Sequence, residues 1–316
     1  MKNIIVVLLI SLMSLAGCSK TAQGKRAYAK GDYKKAISLF EAALIKNGSN
    51  VTAGKYMALA HSGLRTDEAA ALLQQGNQEE ALALLDEAMG LDSANQDAQT
   101  LMKQTLQTVL NQISKEYLPS RAWDKAIAAC NLISKYRPDD AQALLLKARA
   151  VYESEKGVAN YKVILALQQA EKKAPKDPFV RMELDRVKGQ TGKFAAIFAK
   201  YQDALIKKDF KTWKSIITPK FSADVDKIVQ DFIKEDDPRL KNANDYFLEL
   251  SGDPVKYNSP EGATVICIEP LSANRAFIHF IYKDYPKVLR MEAETIGNVL
   301  KLHKEEDSPI KKTDLY

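Results

Sequence analysis

Apolar residues recur with helical spacing along the first half of the chain and alternate like strands near its end. The stretch Gly31–Leu44 (GDYKKAISLFEAAL) reads as a turn followed by an amphipathic helix. In it Ala36, Phe40 and Ala43 lie four and three residues apart and share one face. The arrangement returns from Gly76 with Ala81, Leu85 and Ala88, and from Arg121 with Ala126, Cys130 and Ile133, each step being 45 residues. A fixed period in this range predicts stacked helix pairs, each burying its face only against its neighbours. The long stretch 51–75 before the second turn reads either as one helix or as two broken at Gly63.

The pattern changes near Lys188–Gly192, where two glycines flank polar residues and suggest a boundary. Phe194, Ile197, Phe198, Tyr201 and Leu205 then share a helical face. Asp209 is placed to cap a second helix carrying Phe210, Trp213, Ile216 and Ile217, which Thr218-Pro219 should stop. Ser222 is placed to cap a third, with Val225, Ile228, Val229 and Phe232 inward. After Asp236-Asp237-Pro238 the period moves toward two. ATVICIEP, NRAFIHFIYK, KVLRMEAETI and VLKLHKEE read as strands, separated by turns at Pro260-Glu261-Gly262, Ser272-Ala273-Asn274, Tyr285-Pro286 and Gly297-Asn298. The expected architecture is an all-α helical-repeat solenoid over residues 18–190, followed by a small α+β domain with an antiparallel sheet over 191–316.

Charge narrows the partners. The formal net charge is +6, and residues 191–316 hold 20 basic and 20 acidic side chains. The remaining excess is spread along helices and not gathered in a run, which argues against nucleic acid, because phosphate binding needs clustered charge. Residues 1–17 read as a leader: Lys2, then an apolar run from Ile4 to Leu15 that is short for a membrane span. It ends in Leu15-Ala16-Gly17-Cys18, which resembles a bacterial lipobox. The resemblance implies removal of residues 1–17, acylation of Cys18, and membrane attachment through the lipid. Ser19 in the next position implies, by similarity to enterobacterial lipoproteins, an outer-membrane location facing the periplasm. Cys130 and Cys267 fall in different expected domains and read as small buried hydrophobes.

Gly24, Gly31, Tyr33, Ala36, Phe40 and Ala43 together resemble a tetratricopeptide repeat, although the 45-residue step exceeds that family's unit of about 34. Gly48 and Ser93 stand where the family has Pro, and Arg121 where it has Gly. The resemblance implies a groove lined by the first helix of each pair that takes a peptide or a partner helix. Carried over by position, its candidates are Lys25, Tyr28, Gln74, Asn111, Lys115, Tyr152 and Lys156.

The last 120 residues or so, through Tyr201, Ala204, Leu205, Lys208-Asp209, Trp213, Ile216, Thr218-Pro219 and the strands, resemble the nuclear-transport-factor-2-like superfamily. That resemblance implies a curled sheet around a pocket, for which Tyr201, Trp213, Phe277 and His279 are candidates. No HExxH, G-x-S-x-G, P-loop, dinucleotide fingerprint or Cys/His metal spacing occurs, so neither a cofactor nor a metal is expected. His279 is the one chemical candidate: paired with Glu269 or Glu294 in a cavity, it would have the makings of a general base. The reading that results is a non-catalytic, lipid-anchored scaffold binding protein partners of the cell envelope. Its rival is a ligand-binding or catalytic carboxy-terminal domain with the repeats as a docking arm.

Overall fold

The computed structural model describes residues 19–235, 239–252, 262–283 and 285–315. The leader, Cys18, the Asp236–Pro238 switch and the turn residues Pro260 and Glu261 lie outside the described residues. The chain forms two compact units that divide between Gln112 and Ile113. Its fold is a helical region followed by a small α+β region with an antiparallel sheet.

The first unit holds α1 (Lys20–Ala29), α2 (Tyr33–Lys46), α3 (Val51–Gln74), α4 (Gln78–Leu91) and α5 (Gln96–Gln112). The apolar repeat positions are its core: Ala36, Phe40, Ala81, Leu85 and Ala88 are fully buried. The 45-residue step reappears in the backbone. Gly31, Gly76 and Arg121 all adopt left-handed φ, at 75°, 83° and 57°. Each ends one helix and turns the chain into the next, a conformation that costs glycine little and other residues more. The capping side chains keep the same step. Asn50 and Asn95 accept from the amides of Ala53 and Ala98, and in the second unit Asp140 accepts from Ala143.

The stretch 51–74 is one helix, not two. Gly63 lies inside it because the Tyr33 ring rests there; a Cβ at 63 would stand 2.4 Å from that ring. Buried polar bonds join α3 to the next pair: Ser62 Oγ donates to the Ala88 carbonyl (2.8 Å), and Asn95 Nδ2 donates to Ser62 Oγ (2.8 Å) and Thr66 Oγ1 (3.1 Å).

The second unit opens on a π-helical turn, Ile113–Tyr117, and continues with α6 (Trp123–Tyr136), α7 (Ala141–Ser154), α8 (Tyr161–Lys173) and α9 (Pro178–Ile206). Helix α9 is 29 residues long and runs unbroken through Lys188–Gly192, where a boundary was expected. Its first turns (Val180, Leu184) pack on Val163, Leu167 and Ala170 of α8. Its last turns (Phe194, Phe198, Tyr201, Leu205) enter the sheet core. The glycines do not stop it because helix propensity loses about 1 kcal/mol at a glycine, less than tertiary packing restores on both sides.

Then come α10 (Phe210–Ile216), α11 (Pro219–Lys234) and α12 (Ala243–Gly252). Asp209 caps α10 through the Thr212 amide at 3.0 Å. Thr218-Pro219 does not merely stop α10. Thr218 caps α11 through the Phe221 amide (3.1 Å), with Pro219 in the first turn, so Ser222 lies within the helix and is not its cap. The strands β1 (Thr264–Ser272), β2 (Arg275–Ile281), β3 (Leu289–Ile296) and β4 (Val299–Leu302) form an antiparallel meander, and β5 (Glu306–Asp307) pairs with β3. Ile268, Ala276, Ile278, Phe280, Met291 and Ala293 turn one face toward α9–α12. Cys267, Phe277, His279, Arg290 and Glu292 lie in the opposite alternation.

The left-handed turns yield a paired prediction. Gly31→Ala, where no neighbour approaches within 4 Å, should lower unfolding stability by about 1–2 kcal/mol from backbone strain alone. Arg121→Gly should raise it by about 0.5–1 kcal/mol, the relieved strain minus the added freedom of the unfolded chain. Urea denaturation followed by circular dichroism reads both; equal signs would show that the turn geometry does not set the cost.

Candidate functional site

Three places bring polar side chains together, and two of them contain residues singled out by the sequence. In the first unit, Lys25 and Tyr28 of α1 meet Tyr33 and Tyr56. The Tyr28 ring lies 5.8 Å from both other tyrosines, and Lys25 Nζ sits 4.5 Å from the Tyr56 ring centroid. Burial and then the Asp92 carboxylate raise the Tyr28 phenol above its usual range. Burial and then Asp67 do the same for Tyr33. Burial, with Asp97 adding to it, raises the Asp67 carboxyl. This is a half-open aromatic surface edged by carboxylates. Gln74, at the end of α3, and Asn111, at the end of α5, are exposed.

In the second unit a groove of about 780 Å³ runs along α6, α7 and α8. Leu144, Val151 and Leu165 are among its apolar lining, and its charged lining is mixed: Lys147, Lys162, Lys172 and Lys173 with Asp124, Asp139, Glu155 and Asp314, of which Lys162 pairs with Glu155 and Lys173 with Asp139. Burial pulls the Lys147 amine below its usual range, with Cys130 and Asp314 opposing that shift. Ser134 lines the groove with its hydroxyl buried and unpartnered. The carboxy-terminal residues Thr313, Asp314 and Leu315 lie along it, and Gln169 Nε2 donates to the Asp314 carbonyl at 3.3 Å.

The positions carried over from the repeat family lie elsewhere. Lys115 is exposed in the π-helical turn. Tyr152 packs edge-on against Phe179 at 5.3 Å. Lys156 is exposed in a left-handed turn, with φ 54°. The α7–α8 connection carries two consecutive left-handed residues, Lys156 and Gly157, where the turns at Gly31, Gly76 and Arg121 carry one each.

The four residues expected around one pocket are divided by the sheet. Tyr201 and Trp213 are fully buried in the core between α9–α12 and the sheet, with Trp213 5.2 Å from Phe247 and 5.7 Å from Phe221. The Tyr201 hydroxyl and Trp213 Nε1 make no hydrogen bond of good geometry, although the two face each other closely enough for Trp213 to oppose the rise of the Tyr201 phenol. Burial holds the Tyr201 phenol well above its usual range. Phe277 and His279 lie on the opposite face. His279 is fully buried. Its Nε2 lies 3.3 Å from Glu269 Oε2 and its Nδ1 lies 2.8 Å from Ser308 Oγ. A carboxylate only accepts, so in the neutral ring Nε2 donates to Glu269 and Nδ1 accepts from Ser308. Ser308 Oγ in turn accepts from the Ile310 amide at 3.0 Å.

This Ser–His–Glu line superficially resembles a nucleophile with its base. It is instead closed: the ring has no exposed surface, lines neither this groove nor the smaller cavity at Pro270–Ala273, and both ring nitrogens are bonded. It fastens the segment after β5 to the sheet. Glu294, the other carboxylate considered for His279, pairs with His303 at 2.8 Å.

For metals, Glu292, Glu294 and His303 are the one qualifying group among the described residues, with donor atoms within 4.8 Å of one another. Arg275 occupies Glu292 Oε1 (2.7 Å from Nε), and His303 occupies Glu294, so the cluster is balanced by its own ion pairs. No helix of the described residues is long and apolar enough to cross a membrane. No protein-family model matches the chain, and no curated protein matches it.

Two outcomes test this description. The Cys130 and Cys267 thiols are both pushed up to about 12 by burial. Both should resist an aromatic disulfide reagent at about pH 8 in the folded protein and react once urea unfolds it. Tyr201→Phe should leave stability unchanged or raised, because it deletes a poorly bonded hydroxyl, whereas His279→Phe should cost about 1–3 kcal/mol by stranding Glu269 and Ser308. Thermal unfolding of the two variants separates them.

Proposed function

We propose that the chain is a non-catalytic, lipid-anchored scaffold of the bacterial envelope, held at the outer membrane by Cys18, that binds an extended segment of a protein partner. The observation that carries this reading is the groove of α6–α8. It is open, has apolar lining with lysines around it, and runs beside the chain's own carboxy-terminal residues, whose backbone carbonyl at Asp314 takes a side-chain hydrogen bond from Gln169. Peptide recognition in grooves works this way: apolar pockets supply affinity, and polar side chains fix the backbone. The tetratricopeptide resemblance of the repeats and the lipobox resemblance at Cys18 support the same reading. Of the groove lysines, Lys162 pairs with Glu155 and Lys173 with Asp139, so a carboxylate of the occupant would meet Lys172 and Lys147, with an apolar residue beside it, as in Asp314-Leu315.

A second reading rests on Tyr201 and Trp213. The two buried groups bond each other at best poorly, which is uncommon in a core, and a small ligand bearing an acceptor would take the Tyr201 hydroxyl proton. A ligand there would raise the thermal midpoint of wild type and lose that effect in Tyr201→Phe.

The scaffold reading is tested by a photo-crosslinking residue placed at Lys172, in the groove, or at Lys200, on the exposed side of α9. Crosslinking is expected from 172 and not from 200, to increase when residues 312–316 are deleted, and to fall in the Lys162→Glu/Lys172→Glu double variant. The same products from both positions, unchanged by the double variant, would end the reading.

A further inference from the structure

Among the described residues the two most exposed large apolar side chains are Ile45 (89%) and Val51 (83%), well beyond the next, Met182 (60%). They flank one turn, between the last residues of α2 and the first of α3. That turn is tied to the start of the described chain: Asn50 Nδ2 donates to Thr21 Oγ1 at 3.0 Å. Thr21 is three residues from Cys18, so Cys18 lies within roughly 10 Å of chain from this turn.

Charge around the turn is mostly of one sign. Lys20, Lys46 and Lys55 are exposed beside it, Lys55 one helical turn from Val51 on the same face. Residues 19–66 carry nine basic and two acidic side chains, the acids being Asp32 and Glu41, with Glu41 one turn before Ile45. Residues 67–112 of the same unit carry one basic and eight acidic. The first unit is thus strongly polarised along its chain, and its basic part contains the exposed apolar pair. Neither the helical core nor the α6–α8 groove uses these features.

We propose that Ile45 and Val51, with Lys20, Lys46 and Lys55, form a surface that rests on an anionic phospholipid bilayer beside the anchored residue. The apolar pair enters the boundary between headgroups and acyl chains. The lysines meet the lipid phosphates, and the acidic stretch 67–112 is repelled from the same surface, which fixes orientation. Isolated exposed apolar residues are ordinary; a pair at a turn bonded to the third residue after the anchor, ringed by lysines, is what interfacial contact requires. This inference rests on the anchor reading of Cys18.

The test supplies the anchor chemically. The mature chain is coupled through Cys18 to a maleimide-headgroup lipid in phosphatidylethanolamine–phosphatidylglycerol vesicles; Cys130 and Cys267 are buried and do not compete. Ile45→Trp, Val51→Trp and Met182→Trp chains are compared for quenching by brominated acyl chains, with native Trp123 and Trp213 as the common background. Tryptophan at 45 and 51 should be quenched at least about twofold more than at 182, and less when phosphatidylglycerol is replaced by phosphatidylcholine. Quenching at 45 and 51 no greater than at 182 would overturn the proposal. So would a blue shift at 45 and 51 that grows with protein concentration without lipid, since the patch would then join two copies. Acylation in cells is read separately, from the mass of the mature amino terminus, so failure of the anchor and failure of the surface give different results.

Discussion

A helix pair of this chain cannot bury its apolar face alone, and the joint that passes the face to the next pair governs the rest of the repeat region. The joint is part apolar and part polar. Alanines at 36 and 81 let helices approach, and Phe40 and Leu85 fill the space beside them. A capping asparagine then reaches back to a threonine on the preceding first helix: Asn50 to Thr21, and one period later Asn95 to Thr66. An asparagine that caps its own helix while bonding the previous one sets the register between neighbours, because a slip by one residue would leave buried donors unpaired. The long step follows from it. The threonine and the cap must face each other across a first helix that extends to Gln74, so the surplus residues are helical turns and not loops.

The sheet obeys a different constraint. One face carries only apolar side chains into the core shared with α9–α12, and the other is a mosaic in which each charge has a partner: Arg275 with Glu292, Arg290 with Glu306, His303 with Glu294, His279 with Glu269. Such pairing suits a surface that holds its shape. In the α6–α8 groove, by contrast, Lys172 lies along the opening, the buried Ser134 hydroxyl is unpartnered, and the apolar lining is only partly covered. The two surfaces differ in what they leave unsatisfied, and recognition needs the unsatisfied one.

The repeat step, the left-handed turns and the order of helices before strands were legible because each is written in local spacing. Arg121 shows how far spacing reaches: it occupies the glycine position with the wrong residue and still takes the left-handed backbone. The division of the chain was hidden because Gly189 and Gly192 advertise a break that packing on both sides of α9 overrules. The face assignment of Tyr201 and Trp213 against Phe277 and His279 was hidden for another reason. Alternation separates Phe277 from Ile278, yet both sheet faces carry apolar residues, so period two alone does not say which is the core. His279's partner Ser308 lies beyond three further strands, and no local pattern could point to it.

Helix α9 has a consequence beyond its contacts. Its 29 residues belong to two hydrophobic cores at once. Neither core can melt without exposing half of the same rod, so the helical stack of the second unit and the sheet should lose structure together. The α+β region is therefore not a detachable cassette, and recombination that exchanged it at the glycine pair would sever a continuous rod. Inheritance of this chain would favour keeping everything from Ile113 onward as a single heritable block, varied at its rims and not at its seam.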